Sequence, residues 1–155
     1  MTEGVSVERV VAAPADKVWA LVSDVTRMRE FSPENAGCEW IKGSTGPVVG
    51  AHFRGTNENG KKQWKTVCTV VAAEPGERFA FEVKAGPLRV ARWEYRFDAA
   101  GEGSCRVTET WIDQRGKFVT VMGGPISGVK DRASHNREGM ETTLARLAAV
   151  AEGTA

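Results

Sequence analysis

Hydrophobic and polar residues alternate along several segments of this chain, a pattern typical of strands with one buried face. The clearest segment is Arg89 to Asp98, where aromatic residues alternate with charged ones. Short turns such as Asn59-Gly60 and Gly86-Pro87 separate neighbouring segments, so we predict about seven strands in one antiparallel sheet. The other predicted strands are Val5 to Ala13, Cys38 to Lys42, Gly50 to Thr56, Gln63 to Ala73, Arg78 to Lys84 and Ser104 to Asp113.

Three other segments have helical spacing. A helix that begins near Pro14 carries an apolar stripe, and a short helix over Thr26 to Phe31 follows it. The longest helical pattern runs from Val129 to Val150. One long helix cannot cover seven flat strands, so we expect an α+β fold in which the sheet curves around that helix. Such a sheet leaves room for an internal cavity.

The alternation gives the predicted sheet one aromatic face and one charged face. The aromatic face would line the cavity, and the segment Phe118 to Met122 would cap it. Aromatic side chains on one face are also compatible with a completely filled core, and alternation alone does not separate the two arrangements. The predicted ligand-binding residues are Phe53, Trp64, Cys68, Phe81, Trp93, Tyr95, Glu109, Trp111, Met122, Asn136 and Met140.

Composition narrows the possible partners. The 155 residues include 21 basic and 20 acidic ones, so the formal net charge is +1, which argues against nucleic acid or an anionic membrane as a partner. Three cysteines and two histidines show no metal-ligand spacing, and no glycine-rich segment fits a phosphate loop. We therefore expect one cytoplasmic domain over residues 1–155, with free thiols and with no cofactor, metal, signal peptide or membrane span.

Several local strings resemble a known superfamily. They are Ala13 to Asp24, with its Val18-Trp19 pair, Phe31 to Glu34, Gly50 to Gly55 and Asn136 to Leu147. Together they resemble the polyketide cyclase/dehydrase-like branch of the START and birch-pollen-allergen-like (SRPBCC) superfamily. The resemblance implies a helix-grip fold whose cavity binds hydrophobic small molecules or lipids. It does not imply one reaction, because members include enzymes, carriers and regulators.

Four polar residues are candidates for chemistry in the cavity. Glu109 is the one charged residue on the predicted aromatic face, where it needs a partner or a proton. It could act as a general acid or base or orient a ligand. Alternatively, it lies at the end of its strand at the mouth of the cavity, or forms an ion pair with Arg132. Asn136 lies on the inward side of the long helix, one turn after Arg132. It either faces the cavity or, as is slightly favoured, is a residue at the edge of the helix whose polar groups are satisfied by its neighbours. Glu34 either reaches the rim of the cavity or lies in a surface loop.

The histidines and the cysteines are weaker candidates. His135 and Asp131 are four residues apart and can pair on one helix face, which we expect to point away from the cavity. His52 falls on the charged face. Cys68 and Cys105 are expected to be small core residues.

Two functions remain open. The first is a binding protein that holds a hydrophobic small molecule or lipid-like ligand in the cavity, without stable insertion into a membrane. The alternative is a polyketide aromatase/cyclase or dehydratase in which Glu109, with Asn136 or Arg132, polarises a carbonyl. The scarcity of inward titratable groups favours binding.

Overall fold

The computed structural model describes residues 4–115 and 131–153. Seven strands form one antiparallel sheet in the order β1-β7-β6-β5-β4-β3-β2. The sheet curves around the long helix, which confirms the predicted helix-grip α+β fold. The strands are β1 (Gly4–Val11), β2 (Asn35–Ile41), β3 (His52–Asn59), β4 (Lys62–Glu74), β5 (Arg78–Ala85), β6 (Leu88–Ala99) and β7 (Cys105–Asp113).

The described helices are the first helix (Ala15–Ser23), a 3₁₀ helix (Val25–Glu30) and the long helix (Arg132–Glu152). Asp131 caps the long helix, because its carboxylate accepts a hydrogen bond from the Ser134 N–H. The helix ends at Gly153, whose positive φ of 75° favours glycine. None of the described helices is long and apolar enough to cross a bilayer. The predicted start of the long helix at Val129 lies outside the described residues.

The hairpin between β3 and β4 turns later than predicted. Asn59 pairs with Lys62, so the two-residue turn consists of Gly60 and Lys61. Gly60 has a φ of 61°, which glycine adopts without steric cost. The predicted end of this strand at Thr56 is therefore wrong, and β3 continues through Asn57 and Asn59. The reason is that only Gly60 and Lys61 form the turn, so the residues from Asn57 to Asn59 still pair with β4.

The long helix divides the interior into a packed half and a hollow half. Towards its end, Leu144 and Leu147 are 2% and 1% exposed and pack in one core with Val18 of the first helix and Phe79 of β5. That filled core anchors the helix to the sheet. Towards its beginning, from Arg132 to Thr143, the helix borders a cavity instead.

Candidate ligand-binding cavity

A cavity of about 520 Å³ lies between the inner face of the sheet and the first half of the long helix. The predicted strand faces thus enclose a hollow interior rather than a filled one. Met122 and the predicted cap over Phe118 to Met122 lie outside the described residues. The other residues that the sequence analysis placed at the cavity all line it: Phe53, Trp64, Cys68, Phe81, Trp93, Tyr95, Glu109, Trp111, Arg132, Asn136 and Met140.

Aromatic rings build part of the cavity wall by packing against one another. Phe53 meets Phe81 edge to face, with ring centroids 5.1 Å apart, and Trp40 packs on the other side of Phe53 at 5.7 Å. Edge-to-face contacts at these distances are favourable for aromatic pairs. The rings of Phe53 and Phe81 are therefore held in place on the wall by their own contacts, and they leave the space in front of them open.

Five residues of the lining, each less than a tenth exposed, form the part of the cavity that we call the deep end: Tyr95, Glu109, Trp111, Met140 and Thr143. Tyr95 and Glu109 are direct partners across β6 and β7, so their side chains lie side by side on the inner face. The Tyr95 hydroxyl donates a hydrogen bond of 2.8 Å to Glu109 Oε2. Glu109 Oε1 is buried and has no hydrogen-bond partner among residues 4–115 and 131–153.

Burial controls the protonation of this pair. It raises the pKa of Glu109 to about 8, against a smaller opposing effect of the Tyr95 hydrogen bond. Burial, followed by the neighbouring Glu109 carboxyl, also raises the pKa of the Tyr95 phenol well above its ordinary value. At neutral pH the Glu109 carboxyl is therefore mostly protonated, which makes it a hydrogen-bond donor as well as an acceptor.

The outer cluster, formed by Glu34, Arg132, His135 and Asn136, lies on the same cavity but nearer to solvent. Arg132 Nη1 lies 2.9 Å from both carboxylate oxygens of Glu34 and donates to Asn136 Oδ1 at 3.1 Å. His135 Nε2 lies 3.0 Å from Glu34 Oε2. The Arg132 guanidinium also lies 5.9 Å from the Trp64 ring centroid, within the range of a cation–π contact.

Two predictions about these polar residues are corrected. The prediction that His135 points away from the cavity and pairs with Asp131 is wrong: His135 lines the cavity and contacts Glu34, and Asp131 caps the helix. The prediction used the angle between His135 and Met140 around the helix axis. That angle carries no information about Glu34, which lies on the segment before β2. The suggested ion pair between Glu109 and Arg132 is also not formed, because Glu109 bonds to Tyr95 and Arg132 to Glu34.

Several polar residues of the wall are not among the predicted site residues, and Asn57, Thr66 and Thr143 are three of them. Asn57 donates a hydrogen bond of 3.3 Å to Thr66 Oγ1, and Thr143 donates one of 2.8 Å to the Gly139 carbonyl. Alternation places Thr66 on the inward face of β4, and Thr143 follows Met140 by three residues on the same side of the helix. The sequence pattern could therefore have predicted both residues. Asn57 was missed because the strand was predicted to end before it.

The remaining candidates offer no metal site or reactive thiol. No group of three or more histidine, cysteine, aspartate or glutamate residues in the described part of the chain could hold a metal ion. Burial raises the pKa of the Cys38 thiol to about 11 and raises that of Cys68 further, so both thiols stay protonated. Cys105 is buried in the core, and His52 does not line the cavity.

The family is decided by a comparison with protein-family models. The model described as polyketide cyclase / dehydrase and lipid transport matches residues 2–152. The chain belongs to this family. The resemblance found in the local strings is thereby confirmed, and the family description covers both lipid transport and polyketide cyclase or dehydrase activity.

Two individual proteins are similar to this chain in sequence. The chain is 29% identical over 137 residues to the uncharacterised protein Rv0088 of Mycobacterium tuberculosis; the match covers 88% of this chain and 59% of that protein. The chain thus spans about three fifths of the length of that curated relative. It is 30% identical to the polyketide-cyclase-like protein Cgl2372 of Corynebacterium glutamicum, whose solution structure matches with a TM-score of 0.55 over 99% of this chain and 88% of that one.

Two more distant structures show the same fold. The di-domain aromatase/cyclase StfQ of the steffimycin biosynthetic pathway matches with a TM-score of 0.75 at 15% identity, over 99% of this chain and 51% of StfQ. Protein TTHA0849 of Thermus thermophilus matches with a TM-score of 0.74 at 18% identity, over 99% of each chain. At these identities the likeness concerns the fold alone.

Proposed function

We propose that this protein binds a hydrophobic small molecule or lipid-like ligand in the cavity between the sheet and the long helix. The observation that carries the proposal is a cavity of about 520 Å³ with aromatic residues in its wall. That volume lies in the range of small-molecule sites. The family description, which includes lipid transport, supports the same function.

The lining also suits an apolar ligand that is held by few polar contacts. Trp64, Trp93 and Trp111 all face the cavity, and they offer broad apolar surfaces to a ring system or a chain. The polar side chains of the lining include the Tyr95–Glu109 pair at the deep end and the outer cluster.

Binding is tested by closing the cavity. Ala91 is buried on the inner face of β6 and lines the cavity, so an Ala91→Phe substitution adds a ring to the space. Ala99 is exposed at the end of the same strand, so Ala99→Phe is the matched control. Titration with the uncharged fluorescent dye phenylnaphthylamine should show binding to the parent protein and to Ala99→Phe, and at least tenfold weaker binding to Ala91→Phe. Equal binding to all three proteins would place the dye elsewhere and contradict the proposal.

The natural ligand is sought separately. Native mass spectrometry of the protein purified from its own host should find a co-purifying apolar molecule in the parent protein and in Ala99→Phe, and less of it in Ala91→Phe. A mass that changes on incubation would show that the molecule is a substrate rather than a cargo.

The alternative function is a polyketide aromatase/cyclase or dehydratase that acts in the same cavity. The observation in its favour is the hydrogen-bonded pair of Tyr95 and Glu109, with a carboxyl group whose pKa is raised to about 8 by burial. Such a group can give a proton to a substrate oxygen at neutral pH. Arg132 and Asn136, the other candidates, already bind one another and Glu34 at the outer end. A polyketone analogue that is cyclised or dehydrated by the parent protein, and not by Glu109→Gln, would support the enzyme.

A further inference from the structure

The two ends of the sheet differ in charge. One end carries the β3–β4 and β5–β6 hairpins, and the other carries the β4–β5 and β6–β7 hairpins. Residues 59–65 and 84–89, at the first end, include five basic residues and no acidic one. Residues 74–78 and 98–104, at the opposite end, include four acidic residues and one basic residue. The formal net charge of +1 therefore hides an uneven distribution of charge, and it argues against an anionic partner only for an even one.

The five basic residues are all exposed, and we call them the basic end: Lys61, Lys62, Lys65, Lys84 and Arg89. Lys84 is the register partner of both Val67 and Arg89, and Lys65 lies two residues from Val67 on β4. Neighbours in such positions have Cα atoms within about 8 Å of one another. None of the five forms an ion pair with another described residue, so their charges are available to a partner.

The cavity reaches the surface at the basic end. Gly60, Leu88 and Arg89 line the cavity and are exposed, and we call this part of the cavity its entrance. Leu88 is 43% exposed, which makes it one of the few large hydrophobic residues on the surface. Two exposed acidic residues also line the cavity, Glu58 and Glu138, and Glu58 accepts a hydrogen bond of 2.9 Å from Gln63. Positive charge thus dominates around the entrance, and an apolar side chain lies within it.

We propose that this protein docks reversibly on anionic lipid membranes through its basic end, with the entrance of the cavity against the bilayer. Lysine and arginine side chains are attracted to anionic head groups, and an apolar side chain among them enters the interface. Such docking is peripheral and needs no membrane-spanning segment. The inference goes beyond the proposed function: docking depends on the basic end alone, whereas its use depends on a cavity that binds a hydrophobic ligand.

A membrane fits this surface better than an acidic protein does. Both partners would complement the positive charge. Only the bilayer also offers an apolar layer to Leu88, and it is where hydrophobic molecules accumulate. A protein whose cavity opens towards the bilayer exchanges such a molecule without releasing it into water.

The test measures binding to vesicles of two compositions. Sedimentation with vesicles of phosphatidylcholine alone is compared with sedimentation with vesicles in which about a third of the lipid is phosphatidylglycerol. The test variant combines Lys62→Gln, Lys65→Gln and Lys84→Gln. None of these three residues lines the cavity, so the variant leaves the lining unchanged.

The matched control removes the same charge elsewhere. It combines Arg9→Gln, Arg106→Gln and Arg146→Gln, three exposed residues outside the two basic hairpins. None of them lines the cavity or forms an ion pair among the residues that the structure describes. The two variants therefore have the same net charge and differ only in where the charge is lost.

The expected result is binding that depends on the basic end and on anionic lipid. The parent protein and the control variant should bind the anionic vesicles roughly tenfold more tightly than the test variant does. Binding of the parent protein should be weak on phosphatidylcholine alone, and it should weaken on anionic vesicles when salt rises from about 0.05 to 0.5 M. All three proteins should bind phenylnaphthylamine equally, which also shows that the test variant folds.

Three results would overturn the inference. The first is equal binding of the parent protein to both kinds of vesicle, or binding to neither, which is informative even if the test variant does not fold. The second is equal vesicle binding by the two variants, which places the contact elsewhere. The third is binding of the parent protein to soluble polyglutamate but not to anionic vesicles, which assigns the basic end to an acidic protein. In each case the proposed function stands as long as the dye binds, and if the dye alone fails to bind, only the proposed function fails.

Discussion

Two glutamates line the same cavity in opposite surroundings. The Glu34 side chain is 24% exposed and meets the Arg132 guanidinium at 2.9 Å, with His135 beside it. Glu109 is 2% exposed and bonds to the phenol of Tyr95. The surroundings of a carboxyl group can thus differ within one cavity: an arginine partner meets the carboxyl group at the outer end, whereas burial favours the neutral acid at the deep end.

The largest effect is expected in the pH dependence of stability. The pKa of Glu109 is raised from 4.5 to about 8, so between these values the folded protein keeps a proton that the unfolded chain has released. The free energy of unfolding should therefore fall as pH rises through this window, by up to about 1.4 kcal/mol for each pH unit, with no further loss above it. Urea denaturation across the pH range measures the slope.

The matched substitutions are Glu109→Gln at the deep end and Glu34→Gln in the outer cluster. Glu109→Gln cannot titrate, so its free energy of unfolding should lack this contribution, and the difference from the parent protein should grow with pH. Glu34→Gln should keep the parent slope. Parallel curves for Glu109→Gln and the parent protein would contradict the assignment of a neutral acid to the deep end.

A smaller effect is expected when the phenol partner is removed. Tyr95→Phe deletes the hydroxyl and leaves Glu109 Oε2 buried without its partner, which should cost about 1–3 kcal/mol of unfolding free energy. The Tyr95 hydrogen bond lowers the pKa of Glu109, so its loss should also move the midpoint of the stability profile to higher pH. Unchanged stability, or a midpoint that moves to lower pH, would show that the hydroxyl does not bond as described.

The smallest effect is expected in the outer cluster. A double-mutant cycle with Arg132→Met and Glu34→Gln should give a coupling energy of about 1 kcal/mol, because both side chains are partly exposed to solvent and their attraction is screened. The coupling should weaken as salt is added. A coupling of about 3 kcal/mol that ignores salt would mean that the outer end is as well shielded from solvent as the deep end, and the contrast between the two would disappear.

The sequence predicted one end of the cavity better than the other. Period-two alternation on β6 and β7 correctly placed Trp93, Tyr95, Glu109 and Trp111 on one inner face. That pattern is local and directly reflects which side of a strand is buried. The register between two strands cannot be read from the alternation within either strand. The pattern therefore did not indicate that Tyr95 lies directly opposite Glu109.

The outer cluster depends on contacts that no local pattern contains. Glu34 and Arg132 are 98 residues apart in the chain, and His135 joins them through the same carboxylate. A helical wheel gives only the angle between His135 and the apolar stripe. It contains no information about Glu34, the loop residue that contacts His135. The sequence could not predict the size of the cavity either, because alternating aromatic residues are compatible with a filled core as well as with a hollow one.

The most direct test of the contrast between the two glutamates is a titration of the Glu109 carboxyl carbon by nuclear magnetic resonance. Burial of this carboxyl group raises its pKa, so half-protonation is expected near pH 8. A midpoint near 4.5, the ordinary value of a glutamate, would contradict the assignment of a neutral acid to the deep end.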